Sequence, residues 1–235
     1  MDFIGKSTNV TYNYSKETID MPDVAEMETK DRGLTGRTQK GLYELKKQVY
    51  TGHNFKGWSE RANISSDFIV YDMVKEEAYL NNNILIKDKE TGTEIKGKEI
   101  VYFMKSDIVN SKEALEIKRD NIFVTAKSGT ANLVNKTLTL NKTILTTSNK
   151  DRISGDKLQA NLLKNEFSFD GNIEGTLYSF SEEELKGMKE IDYSNPIKFK
   201  GDFTRAFFIE NGPKQYVVTR NEIINSSEFT YKDMK

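Results

Sequence analysis

The side chains that most often carry chemistry are scarce in this sequence, which holds one histidine, His53, and no cysteine. Without thiols there are no disulfides and no thiolate metal sites, and one imidazole cannot supply a His-rich zinc or iron centre. The usual nucleophile–base partnerships lose their commonest members as well. His53 stands in Thr51-Gly52-His53-Asn54, which reads as a solvated turn. Gly33 and Gly36 have no Lys-Ser/Thr and no helix after them, so they do not form a phosphate loop. Asp170-Gly171-Asn172 is too short for a calcium loop. Carboxylates are plentiful, but Glu76-Glu77 reads as a solvated turn and Glu182-Glu183-Glu184 as the start of a helix. A carbohydrate-active enzyme therefore stands third among the functional readings, on acid content alone. The expectation is a protein that is not an enzyme, with no catalytic residues, no metal and no cofactor.

Composition narrows the class further. Apolar residues make up 36% and charged residues 30%, the balance of a two-sided β structure with one wet face. The net charge of −1 argues against a nucleic-acid surface, which needs a basic excess. The basic and aromatic residues of Tyr43-Glu44-Leu45-Lys46-Lys47 are likewise better explained by packing. Three prolines suit a chain of many hydrogen-bonded strands. No apolar run reaches the roughly 18 to 20 residues needed to span a bilayer. The opening MDFIGKSTNV lacks a basic start and an apolar core and does not read as a signal peptide.

Such a chain must be organised by strands, and its strands repeat. Between 67 and 97, short alternating runs (Ile69-Tyr71-Met73, Ala78-Leu80, Ile84-Ile86) are separated by polar turns. A small residue recurs five positions before an aromatic or alanine: Ser7/Tyr12, Thr38/Tyr43, Ser66/Tyr71, Gly97/Tyr102, Ala126/Ala131, Gly155/Ala160 and Gly201/Ala206. The period is about 30 residues and fails once, between Ala160 and Ala206, an interval half as long again. Two residues after each anchor come Tyr14, Leu45, Met73, Met104, Leu133, Leu162 and Phe208; seven after come Ile19, Tyr50, Ala78, Val109, Leu138 and Phe167. Two residues before the small position stand Ile64, Ile95, Val124, Ile153 and Phe199, with Gly5 and Gly36 breaking that column. The segment 28–39 reads as a loop.

These units predict an all-β fold: an elongated, open β-jellyroll of serial antiparallel repeats in a single domain. The units lie near 7–37, 38–65, 66–96, 97–125, 126–154, 155–200 and 201–235. The long interval is explained by one short helical insertion over 182–189, where Ser181 and Glu184 form a capping-box pattern and Asn195-Pro196 ends the excursion. Asn211-Gly212 between apolar runs signals a hairpin.

Several stretches resemble a known family: Gly57-Trp58-Ser59-Glu60-Arg61-Ala62, Tyr71-Asp72 through Asn82-Asn83-Ile84, Thr91-Gly92 with Ile95 and Gly97, and Ile153-Ser154-Gly155-Asp156-Lys157-Leu158 through Phe169, Gly171 and Ile173. In serial order they are similar to the OstA-like β-jellyroll repeats of periplasmic lipopolysaccharide-transport proteins of the LptA/LptC kind. The resemblance implies a V-shaped stack of antiparallel strands whose groove holds lipid acyl chains and whose ends join other β-jellyrolls in a bridge between membranes. It implies a periplasmic location, with a targeting or anchor segment outside this chain; a cytoplasmic location is the other option. The helical insertion departs from the family pattern.

The expected function is thus a non-enzymatic cell-envelope protein that binds lipopolysaccharide acyl chains and passes them along. The alternative is a β-solenoid-like structural or adhesin-type interaction domain without a lipid ligand. Ala131 and Ala160 replace the earlier tyrosines and would widen the apolar lane, which places Leu133, Leu138, Leu140, Leu162, Phe167 and Phe169 as its lining. The β-prone ends, Val10, Tyr12 and Tyr14 at the start and Tyr216, Val217 and Val218 near the finish, are the expected edges for strand addition by a partner.

Overall fold

A computed structural model describes residues 3–29, 34–148, 150–178, 196–209 and 212–224. The fold is all-β, an antiparallel jellyroll with no helix among the described residues. Its strands are β1 (Phe3–Ser7), β2 (Thr11–Asn13), β3 (Thr18–Met21), β4 (Ala25–Thr29), β5 (Leu34–Thr38), β6 (Lys40–Glu44), β7 (Val49–Trp58), β8 (Ala62–Asp72) and β9 (Glu77–Asp88). They continue as β10 (Glu94–Phe103), β11 (Ile108–Ser111), β12 (Leu115–Arg119), β13 (Ile122–Asn132), β14 (Thr137–Thr147), β15 (Arg152–Asn161), β16 (Glu166–Leu177), β17 (Ile197–Ile209) and β18 (Gly212–Ile224). The expected helical insertion over 182–189 lies outside the described residues. The chain divides into two compact units, residues 1–117 with 130–135 and residues 118–129 with 136–235.

In the first unit the strands are creased midway. The first half of β7 pairs with β6 and its second half with β5, two strands that follow each other in the chain. Along β8 the buried face runs Ala62, Ile64, Ser66 and then jumps to Ile69 and Tyr71, and the register with β9 shifts between Ser65 and Phe68. A bulge of this kind bends a strand and changes which residues face the core. On β9 the crease falls at Asn82 (φ 58°) and Asn83 (φ 45°), in the left-handed region that asparagine tolerates better than most residues. The runs Ala78-Leu80 and Ile84-Ile86, read from sequence as separate strands, are therefore two arms of one strand. The same conformation recurs at Asn54 (φ 52°). Residues 34–38 are strand β5 rather than loop, held by pairing to β4 and β7; and His53 lies within β7, paired to Phe68, rather than in a turn.

The repeat column two residues after each anchor marks the hairpin turns. Turns at 45–48, 73–76 and 104–107 each begin with one of these residues and end on a left-handed one, Gln48, Glu76 and Asp107. Leu45 N donates to Glu17 O at 3.0 Å, Met73 N to Gln48 O at 3.0 Å, Met104 N to Glu76 O at 3.0 Å and Leu133 N to Asp107 O at 2.9 Å, so each turn rests on the one before it. Asp72 Oδ1 accepts from Val74 N at 3.1 Å and Lys75 N at 3.0 Å, an Asx closure that sets the tight turn.

The second unit repeats this plan. β14, β15, β16, β17 and β18 form an unbroken antiparallel meander. Register shifts between Ser154 and Lys157 and between Asp170 and Ile173 crease β15 and β16. Asn172 (φ 48°) and Lys142 (φ 50°) occupy the left-handed crease positions. Ile209 pairs with Gly212, the hairpin expected at Asn211-Gly212, although Asn211 itself lies outside the described residues.

Candidate functional site

Residues seven apart, divided by a four-residue turn, are direct cross-strand partners. The two apolar repeat columns therefore interleave into one row across the sheet. In the first unit that row runs Tyr12, Ile19, Tyr43, Tyr50, Tyr71, Ala78, Tyr102 and Val109. Burial deepens along it, from an exposed Tyr12 through half-buried Ile19 and Tyr43 to fully buried Tyr71 and Tyr102. On the other side of the crease a second row runs Gly5, Met27, Gly36, Gly57, Ile64, Ile86 and Ile95. The glycines that interrupt the sequence column belong to this row, and the buried Phe55 ring lies over Gly36 and Gly57 in place of their missing side chains.

In the second unit the expected lining residues come together. Leu138, Ala160 and Phe167 form one cross-strand row, and Leu140, Leu158 and Phe169 the next. Across the crease, Leu145, Ile153, Gly175 and Phe199 form a third. Leu158, Leu145, Ile153 and Phe199 were not among the residues expected to line the lane, although Ile153 and Phe199 already stood in the column before the small positions. Leu162 opens the turn after β15, where its N donates to Lys136 O at 2.8 Å. Leu133 belongs to the first unit, in the turn resting on Asp107. All six expected lining residues are buried, from 5% exposure at Leu162 to 0% at Phe169. The lane is packed shut on its own side chains.

The polar groups concentrate where the two rows of turns meet. In the first unit Arg61, in the turn before β8, places Nε 3.2 Å from Asp107 Oδ2, at the end of a turn on the opposite row. Tyr102 Oη donates to Asp107 Oδ1 at 2.5 Å. Burial, and then the bonded Asp107 carboxylate, hold the Tyr102 phenol protonated well above its ordinary range. Burial also pushes the Tyr50 phenol up, opposed in part by its hydrogen bond with the Thr38 hydroxyl. In the second unit Arg119 Nη1 donates to the Leu162 carbonyl, while Arg119 Nε lies 3.6 Å from Asp120 Oδ2. None of these lip residues was singled out as a candidate from sequence. Arg61 stands three residues before Ile64 and Arg119 five before Val124, so the two occupy different repeat positions and the period does not pick them out.

The outer face of the second unit carries a shallow hollow of about 330 Å³ over the polar side of β14 to β16, including Thr139, Gln159 and Ser168. At the start of the chain Val10, Tyr12 and Tyr14 are exposed, and the Tyr12 and Tyr14 rings meet edge to face at 4.4 Å. β2 registers with β3 and β1 with β4. Tyr216, Val217 and Val218 lie on β18, which registers with β17. His53 is exposed and packs edge to face on Phe68 at 5.0 Å. Among the described residues no group of three or more His, Asp or Glu side chains is placed to hold a metal ion. No helix among them is long and apolar enough to cross a membrane. Searched against known proteins, the chain matches no family model and no curated protein.

Proposed function

We propose that this is a non-enzymatic carrier of the cell envelope that holds the acyl chains of lipopolysaccharide or a similar lipid within its creased sheet and hands them to a neighbouring β-jellyroll. The observation that carries the reading is the set of continuous apolar rows running across the strands, Leu138–Ala160–Phe167 and Leu140–Leu158–Phe169 in the second unit. A row perpendicular to the strands offers an extended chain an unbroken apolar path, and each large side chain withdrawn from water contributes about 1.5–3 kcal/mol. The serial resemblance to lipopolysaccharide-transport repeats supports the same reading and with it a periplasmic setting, and the β-prone strands β2 and β18 suit strand addition by a partner.

The test is photo-crosslinking of lipopolysaccharide to the purified chain with a benzophenone amino acid at Leu140, Phe167 or Phe169, with exposed Val74 as the control position. Crosslinks at the row positions and none at Val74 support the carrier. Their absence at all three row positions overturns it.

A second reading, a structural or adhesin-type β domain without lipid, draws on the tight packing of the same rows, where Phe169 is 0% and Leu140 1% exposed. On that reading the rows are permanent core, and the same crosslinking positions stay silent in a fully folded protein.

A further inference from the structure

We propose that the lane in each unit opens along the side where the two rows of turns meet, and that Arg61 and Arg119 are the latches holding that side shut. The inference rests on the carrier reading above and adds how a closed lane admits its ligand. Buried side chains at 0–5% exposure leave no room for an acyl chain, so loading requires the two halves of the creased sheet to part. They cannot part at the crease, because strands such as β9 and β16 run through it covalently. They cannot part between neighbouring strands without breaking whole ladders of hydrogen bonds. The turn side is different: among the described residues, the arginine side chains of Arg61 and Arg119 reach across it. In the first unit the bridge is Arg61 Nε to Asp107 Oδ2 at 3.2 Å, backed by Tyr102 Oη on Asp107 Oδ1. In the second it is Arg119 Nη1 on the Leu162 carbonyl. The Arg61 and Asp107 side chains are 40% and 26% exposed, and a pair so open to water is a weak tie that thermal motion breaks readily.

Two features make these arginines latches rather than incidental surface pairs. Each joins an end of one turn row to a turn of the opposite row, and each does so within its own unit. Leu162, whose carbonyl receives Arg119, is also one of the lining residues, so release of the second latch frees the rim of the lane it closes.

The chain has no cysteine, so Arg61→Cys with Asp107→Cys introduces the sole pair of thiols. The two can be bridged by a short bismaleimide, and loading followed with cis-parinaric acid, a fluorescent long-chain acid. The unbridged variant, having lost the ion pair, takes up the probe about threefold or more faster than the native chain, and the bridged variant about tenfold slower than the unbridged one. Equal uptake by bridged and unbridged protein overturns the latch and leaves the carrier reading standing. No uptake by the native chain, the unbridged variant or Arg119→Gln overturns the carrier reading and the latch with it. If the double variant fails to fold, as judged by its melting profile, Arg61→Gln and Arg119→Gln replace it. Faster uptake by both supports the latch, and native rates in both overturn it.

Discussion

The ring of Phe55 lies against Gly57 so closely that a Cβ added there would stand 2.4 Å from Phe55 Cζ. Gly57 faces Gly36 across the β5–β7 ladder, and a Cβ on Gly36 would meet the same ring at 2.6 Å. One buried aromatic thus covers a pair of glycines, which otherwise weaken a strand by offering nothing to pack. Gly57→Ala is expected to overpack the site and cost about 1–3 kcal/mol, read as a lower urea midpoint with an unchanged slope. Phe55→Leu in the Gly57→Ala background is expected to cost less than the sum of the single changes, because the smaller side chain clears the clash.

The rows of the second unit separate a ligand site from a permanent core when stability and lipid capture are measured together. Phe167→Ala removes a buried ring and is expected to cost about 3–5 kcal/mol of unfolding free energy. A charged residue at Leu162 or Phe167 is expected to abolish lipid crosslinking. If the melting temperature falls with it, the residue is core; if the protein stays folded and only the crosslink is lost, the residue lines an opened groove.

Two exposed carboxylates of the second unit give a signed pH dependence. The Lys142 ammonium, 2.5 Å from Asp156 Oδ1, and then the Asn172 amide hold the Asp156 carboxyl below its usual range. Lys200, 2.7 Å from Glu174 Oε1, does the same for Glu174. A folded-state value below the unfolded one means that the contribution is present above the unfolded value, about 4, and is lost as the pH falls through the folded one. Carboxyl-carbon NMR titration is expected to find both midpoints depressed. Lys142→Met should return Asp156 toward its ordinary value and leave Glu174 unmoved.

Strands β2 and β18 make the assembly prediction. Tyr12 lies on β2, which registers with β3, and Val217 and Val218 lie on β18, which registers with β17. Neighbouring amides of an antiparallel strand point to opposite sides, so proline at whichever of Val217 and Val218 faces away from β17 removes an outward donor and spares the ladder. That variant, and Tyr12→Lys at the other end, are expected to weaken self-association or capture of a β-jellyroll partner while the monomer stays folded. Light scattering showing a strict monomer of the unaltered chain at high concentration, with no partner captured at either end, ends the bridging idea.

Much of the fold was legible because its signals are local. A four-residue turn makes residues seven apart into partners, so the columns headed by Tyr71 and Ala78 could be read as strands without knowing that they share a row. The turns carried their own signature in Asn13, Asp72, Asn132 and Asn161, whose side-chain oxygens accept backbone amides within the turn. Residues 28–39 read as a loop because Gly33 and Gly36 punctuate them, yet Gly36 pairs with Met27 and Gly57. It is a strand residue whose partner in packing, Phe55, lies in the next strand but one.

The sequence by itself determined the strand period, the hairpins and the residues that turn their backs to water, since alternation and turn chemistry act over a few residues. Only the tertiary structure decided that β9 is one creased strand, that the lane is packed shut, and that Arg61 reaches Asp107. Those depend on how far each sheet folds back on itself. That angle is set by side chains meeting between the two rows of turns, such as Tyr102 and Asp107 against the turn at Ser59–Arg61, and no local pattern in the chain encodes it.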